Sequence, residues 1–273
     1  MRYLAGVLVL FVGASWLVPA QSTPGRAPAG VRSNVVPADS FADPPSKPSS
    51  NLSSGAPTER LTYDIEWRLI HAGAAVIEAQ KTRVQLKLQS AGLVSTLFKV
   101  DDTYSVNYDE SACAQSSTMD SQEGKRHRET TVTFDHAQNR ATFMERDLLR
   151  NSVIRATGVD IPGCVHDVLG ALIHLRSLAI EPGQSTQVPV SDGRRFANVK
   201  LEAQEREEVR MPLRAYKTVR YEANLMNGVV YTRKGAVFVW VTDDAQHLPV
   251  QIRLRMGFPV GTVTLQLLKE EHF

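Results

Sequence analysis

From Leu61 onward the chain alternates. Leu61, Tyr63, Ile65, Trp67 and Leu69 are apolar, and Thr62, Asp64, Glu66 and Arg68 between them are polar. Successive side chains of a strand point to opposite faces, so a period of two describes a strand with one buried face. The pattern returns in Val84, Leu86 and Leu88, in Tyr104, Val106 and Tyr108, in Val250, Ile252, Leu254 and Met256, and in Val263, Leu265 and Leu267. Residues 75–80, 114–119, 128–134, 140–145, 186–189, 197–203 and 215–223 read as further strands. Turn-forming clusters separate them: 71–73, 135–139, 191–193, 232–235, 243–246 and 257–261. Many short strands joined by turns imply an all-β, mainly antiparallel chain. Residues 236–242 are apolar on both faces, which marks a central strand with a second covered face.

Two segments break the alternation. In 164–178, Val165, Val168, Leu169, Leu172 and Leu175 cluster on one face at about 100° per residue, and Asp167, Gly170, Ala171 and His174 fall on the other. Pro162 and Gly163 precede this helix and 181–183 end it; Asp167 in its first turn suits the helix dipole. The helix is expected against the doubly apolar strand. Arg176 projects onto the apolar face, where it must reach solvent or pair with a buried acid. In 90–100, Leu93, Val94, Leu97 and Phe98 have helical spacing. This short segment is either a lid over a cavity or a corner of the core. The tip at 124–128 is basic and suits either phosphate headgroups or a solvated hairpin end.

Composition adds the compartment. Arg2, the apolar run from Leu4 to Val18 and the small residues to Ala20 form a signal peptide over 1–20, with an uncleaved N-terminal anchor as the alternative. Residues 21–58 are rich in Pro, Ser, Ala and Gly and read as a flexible linker. The remaining 59–273 suit one β-rich domain. Charge is nearly balanced, so a nucleic-acid partner is not expected. Cys113 and Cys164 are the two cysteines. In an oxidising compartment they are expected to pair, closing a loop of about fifty residues at a gain of roughly 4 kcal/mol.

Residues 60–67, Gly73, 99–102, the helix with Asp167, Leu172, Leu175 and Arg176, and 239–250 together resemble the exported bacterial family called domain of unknown function 3108 (DUF3108). The resemblance runs from about residue 59 to the C-terminus. It implies a periplasmic protein of the Gram-negative cell envelope, mostly β, without a settled activity. By analogy the architecture looks like the open β-barrels of periplasmic lipoprotein carriers, a curved sheet wrapped around one central helix.

Catalysis is not expected. Hydrolysis by a nucleophile needs a placed Ser or Cys with a His and an acid, and there is no Gly-x-Ser-x-Gly. No His-x-x-x-His marks a metal centre, and no cofactor is expected. The doublets Asp101-Asp102 and Asp243-Asp244 stand at strand ends, where Asp is an ordinary turn residue; one of the four is a candidate partner for Arg176. The expected function is noncatalytic binding of a hydrophobic or amphipathic envelope component, such as a lipid. Trp67, Leu97, Phe98, Leu172, Phe238 and Trp240 would line the concavity and Arg176 would meet an anionic head group. The alternative is an envelope assembly factor that holds a protein partner by a sheet edge or surface patch.

Overall fold

The structure is a computed structural model that describes residues 58–211, 214–257 and 260–273. The expected signal peptide or anchor and, apart from Thr58, the expected linker lie outside the described residues. No helix among the described residues is long and apolar enough to cross a membrane.

Fourteen strands follow one another: β1 (Glu59–Trp67), β2 (Ile70–Ala79), β3 (Arg83–Ser90), β4 (Val100–Tyr108), β5 (Ala114–Glu123), β6 (Arg126–Asp135), β7 (Arg140–Asp147), β8 (Ser152–Asp160), β9 (Ser185–Ser191), β10 (Phe196–Arg210), β11 (Ala215–Ala223), β12 (Gly235–Thr242), β13 (Pro249–Met256) and β14 (Thr262–His272). Helix α1 (Gly92–Leu97) lies between β3 and β4, and α2 (Val168–Leu175) between β8 and β9. The strands form one sheet in the order β8-β7-β6-β5-β4-β3-β2-β1-β14-β13-β12-β11-β10-β9. Two meanders therefore run outward from a seam where the first strand meets the last, antiparallel. The 161–184 segment, with α2, links the two edge strands. Among the described residues no ladder joins β8 to β9, so the sheet is open.

The alternation read from the sequence sets the core. Ile65, Leu265, Ile252, Val239, Tyr221 and Ala203 stand opposite one another in register across six strands, and all six are buried. Full burial of each large apolar side chain contributes about 1.5–3 kcal/mol. The first strand ends earlier than its pattern predicts. Arg68 and Leu69 both adopt left-handed backbone angles and form the two-residue turn into β2. The turn predicted at 71–73 is instead strand. Gly73 sits there at a register shift of the β1–β2 ladder, where a Cβ would lie 2.1 Å from the Gln89 carbonyl oxygen.

Strand β12 is buried on both faces, as its sequence implies, but α2 does not cover the second one. Phe238 and Trp240 point away from Val237, Val239 and Val241. Arginines from the flanking strands roof them: Arg220 and Arg255 lie 5.9 and 5.1 Å from the Phe238 ring, and Arg253 lies 4.8 Å from Trp240. The Trp240 indole N–H donates to Glu207 Oε1 (2.7 Å). Apolar residues can be covered by the stems and planar heads of long cations as well as by a helix.

Antiparallel neighbours place successive connections on alternate rims of the sheet. Connections 68–69, 91–99, 124–125, 148–151, 192–195, 224–234 and 257–261 share the rim that carries α1. Connections 80–82, 109–113, 136–139, 161–184, 211–214 and 243–248 share the rim that carries α2.

Candidate functional site

The seven residues expected to line one concavity are dispersed. Trp67 lies at the α1 rim, its indole N–H donating to the Val260 carbonyl (2.8 Å). Leu97 is 62 % exposed on α1, and Phe98 turns its ring toward Gly124. Leu172 is half-buried on α2, while Phe238 and Trp240 occupy the far face of β12. Arg176 caps α2 and donates to both carboxylate oxygens of Glu59 (2.6 and 2.9 Å). Its partner is thus the first residue of β1 and neither Asp doublet. Asp243 instead pairs with Arg206 (2.9 Å), and Asp244 accepts from the Gln246 N–H (3.0 Å).

The sequence reading missed a polar centre at the start of α2. Residues 164–167 are not helical, and Asp167, with an extended backbone, is the N-cap. Its carboxylate accepts four hydrogen bonds: from the Tyr104 and Tyr108 hydroxyls (2.9 and 2.8 Å) and from the Leu169 and Gly170 N–H groups (3.0 and 2.9 Å). Burial pushes its pKa up, and the four donors, Tyr108 foremost, oppose that shift. Gly170, predicted on the exposed face, is buried. A Cβ there would lie 2.7 Å from the Tyr108 ring. The preceding residues are pinned from two sides. The Val165 carbonyl accepts from Ala114, and His166 exchanges backbone bonds with Pro189 and Ser191. The expected disulfide, Cys113–Cys164, is present beside them. The His166 ring stacks on His174 at 4.4 Å; burial first, then the His174 charge, lowers the His166 pKa to about 4.

Next to this centre is a cavity of about 20 Å³, lined by residues that include Tyr104, Val132, Phe143, Val168, Arg194 and Tyr231. It has room for about one water molecule. None of the seven expected residues lines it. Further along the inner face of β4 and β5, Asp102 and Glu123 are buried, and each keeps one carboxylate oxygen without a hydrogen-bond partner. Burial raises Asp102 to about 6 and, with the Asp102 charge adding to it, Glu123 to about 8. Glu145 pairs with Arg128 (2.7 Å).

Among the described residues, one group of potential metal donors, Glu59, Glu270 and His272, comes within 4.8 Å. Both Glu59 oxygens are held by Arg176, so a cation would sit beside a guanidinium. The group reads as an ion-pair cluster.

The two sheet edges differ. The β9 edge is partly covered by the His166 bridge. Strand β8 pairs with β7 alone among the described residues, and its burial pattern is open on both faces. Val153 and Ile154 are exposed on it.

These features define an open, antiparallel, β-barrel-like sheet whose edge and rim, more than its interior, are accessible. The chain belongs to the family described as protein of unknown function (DUF3108), whose model matches residues 62–268. No curated protein matches it. Among solved structures it is similar to a β-barrel-like protein of domain of unknown function DUF1849 from Brucella abortus. That match has 10 % identity, a TM-score of 0.52, and coverage of 80 % of this chain and 98 % of that one. A DUF1089 family protein from Pseudomonas aeruginosa matches at 11 % identity and a TM-score of 0.33, over 67 % of this chain and 90 % of that one. The first likeness supports the β-barrel-like fold and nothing finer.

Proposed function

We propose that this protein is a noncatalytic factor of the bacterial cell envelope that holds a partner polypeptide by strand addition along β8. The observation that carries this reading is the open β8 edge. A sheet edge presents a row of unpaired N–H and C=O groups that fits an extended segment of another chain. Natural edges are commonly blocked by Pro, charged side chains, bulges or a covering loop, and of these β8 has Arg155 and a bulge against β7. Strand β8 contains neither Pro nor Lys, and it carries exposed Val153 and Ile154. The disulfide supports export, because such bonds persist in oxidising compartments.

The reading in which a lipid is held inside the curved sheet has less support. The seven proposed lining residues diverge. The cavity beside α2 is about tenfold or more below the several hundred Å³ of a ligand pocket.

The test is a photo-crosslinking amino acid placed at Ile154 in the full chain in its own cells, with the same group at Thr62 in the sheet interior as control. One discrete polypeptide adduct from position 154, lost when Ala156→Pro is added, is the expected result. Adducts that are diffuse, or the same from both positions, would overturn the proposal.

A further inference from the structure

The rim that carries α1 differs in chemistry from the opposite rim. Its connections hold eight Lys and Arg residues and one acidic residue, Asp192. The connections of the α2 rim hold three basic residues and six acidic ones. Asp192 and Arg194 pair with each other (2.7 Å) and face the cavity, which leaves seven basic residues and no acidic one on this rim. Lys99, Lys125 and Lys234 on the α1 rim are exposed. A molecule of nearly balanced charge thus carries its positive excess at one end.

Exposed apolar side chains gather at the same end. Leu69 is 92 % exposed, Leu93 72 %, Leu149 67 % and Leu97 62 %. Ile70, Val153, Ile154 and Val229 stand on this rim or at the strand ends beside it. Of ten large hydrophobic residues exposed among the described residues, only Leu268 and Phe273, near the end of the chain, fall elsewhere. Scattered single exposures need no explanation, but a group of them confined to one rim marks an interaction surface.

Two local features show that the apolar groups are held outward. Leu69 has φ 67°, a left-handed conformation that costs a residue with a Cβ about 1–2 kcal/mol and is ordinarily filled by Gly or Asn. A leucine there is both strained and exposed at the tip of a turn, and strain of this kind collects at functional positions. Helix α1 buries Val94 while Leu93 and Leu97, four residues apart on one face, point to solvent.

We infer that the α1 rim seats on an anionic lipid surface, with Leu69, Leu93, Leu97 and Leu149 entering the headgroup boundary and the exposed Lys99, Lys125, Arg150 and Lys234 meeting lipid phosphates. Both parts are needed in this arrangement: apolar area supplies insertion, and the cations supply attraction to anionic lipid. A protein partner of acidic, apolar surface is the competing occupant. The bilayer fits better because the leucines and cations are spread over several separate connections of one rim. Val153 and Ile154 border both surfaces, but the inference does not rest on strand addition at β8, since Leu69, Leu93, Leu97 and Lys125 lie on other connections.

The test is binding of the full chain to vesicles of phosphatidylcholine alone and of phosphatidylcholine with phosphatidylglycerol, followed by hydrogen exchange of the bound protein. The expected result is cosedimentation with the anionic vesicles that falls with salt, and slowed exchange over 91–99 and 124–125 with 80–82 and 109–113 unchanged. The double substitutions Leu93→Ser with Leu97→Ser, and Lys125→Glu with Lys234→Glu, alter exposed residues and should each weaken partitioning roughly tenfold or more. Binding that leaves the α1 rim unprotected would mean that the N-terminal apolar segment holds the vesicle, and would overturn the inference. So would doubly substituted chains that bind like the original, or no anionic preference. Loss of vesicle binding with the Ile154 crosslink retained would separate failure here from failure of the strand-addition reading.

Discussion

Glu123 is a carboxyl group in a place that suits a neutral acid. It is 6 % exposed, one of its oxygens has no partner, and Asp102 stands on the same face of the neighbouring strand. Its pKa in the fold is raised to about 8, above the ordinary value near 4.5. Between those values the folded state binds more protons than the unfolded chain, so stability falls as pH rises across the window. Asp102, raised to about 6, adds in the same direction over a narrower range. His166 acts oppositely. Its pKa is lowered to about 4, so the unfolded chain binds the extra proton and stability falls as pH drops from the ordinary histidine range toward 4. Glu123→Gln should therefore raise the denaturant midpoint relative to the parent above pH 8 and leave the difference small near pH 4. Midpoints measured across that range check this, and a difference independent of pH would refute it. None of this was legible in the sequence. Glu123 sits beside the basic tip at 124–128, which reads as a solvated hairpin end, and only the inward turn of β5 shows the carboxyl to be buried.

Among the elements, the strands with one wet face were the most readable, because contrast between faces is what a period of two records. Strand β11 occupies the predicted residues 215–223. Strand β8 escaped notice for the same reason inverted: both of its faces are largely exposed, so Ser152 to Asp160 carry no contrast. The apolar spacing locates helix α2 but makes it too long at both ends, since it spans only Val168–Leu175. Residues 164–166 are held out of the helix by the disulfide and by backbone bonds to β5 and β9, contacts that local spacing does not encode. Tyr104 and Tyr108 share a strand face by their spacing, and Asp167 precedes an apolar run. That they meet across 63 and 59 residues is a tertiary fact. Asp167→Ala removes an N-cap and leaves two buried hydroxyls without an acceptor. We expect a loss of about 3–5 kcal/mol, with faster exchange of the Leu169 and Gly170 amides. Asp167→Asn keeps one oxygen acceptor and should lose less. Equal stability of all three chains in denaturant would show that the network contributes nothing.

At the scale of the molecule, the disulfide closes a loop of 51 residues that runs from β5 through the β8 edge to the approach of α2. In the chain-entropy account such a loop stabilises by about 4 kcal/mol. Replacing Cys113 and Cys164 together by Ser should lower stability by about that amount. Denaturant midpoints that do not move between the two chains would count against this assignment. The family and the all-β class could be read from the chain because order and alternation are one-dimensional properties. The separation of charge between the rims depends on which connections share an end. That becomes visible only once every strand is placed, including the unmarked β8.

The seam between β1 and β14 also fixes an order of events in the making of the protein. The first strand of the sheet has β2 on one side from the start, but its other neighbour, β14, is made after the other thirteen. Until then β1 and β13 each present a bare edge, and pairing so distant in sequence is slow to form. A chain cut before β14 would leave both edges open for good, in the middle of the sheet. Newly made chains should therefore be most prone to wrong pairing just before β14 emerges.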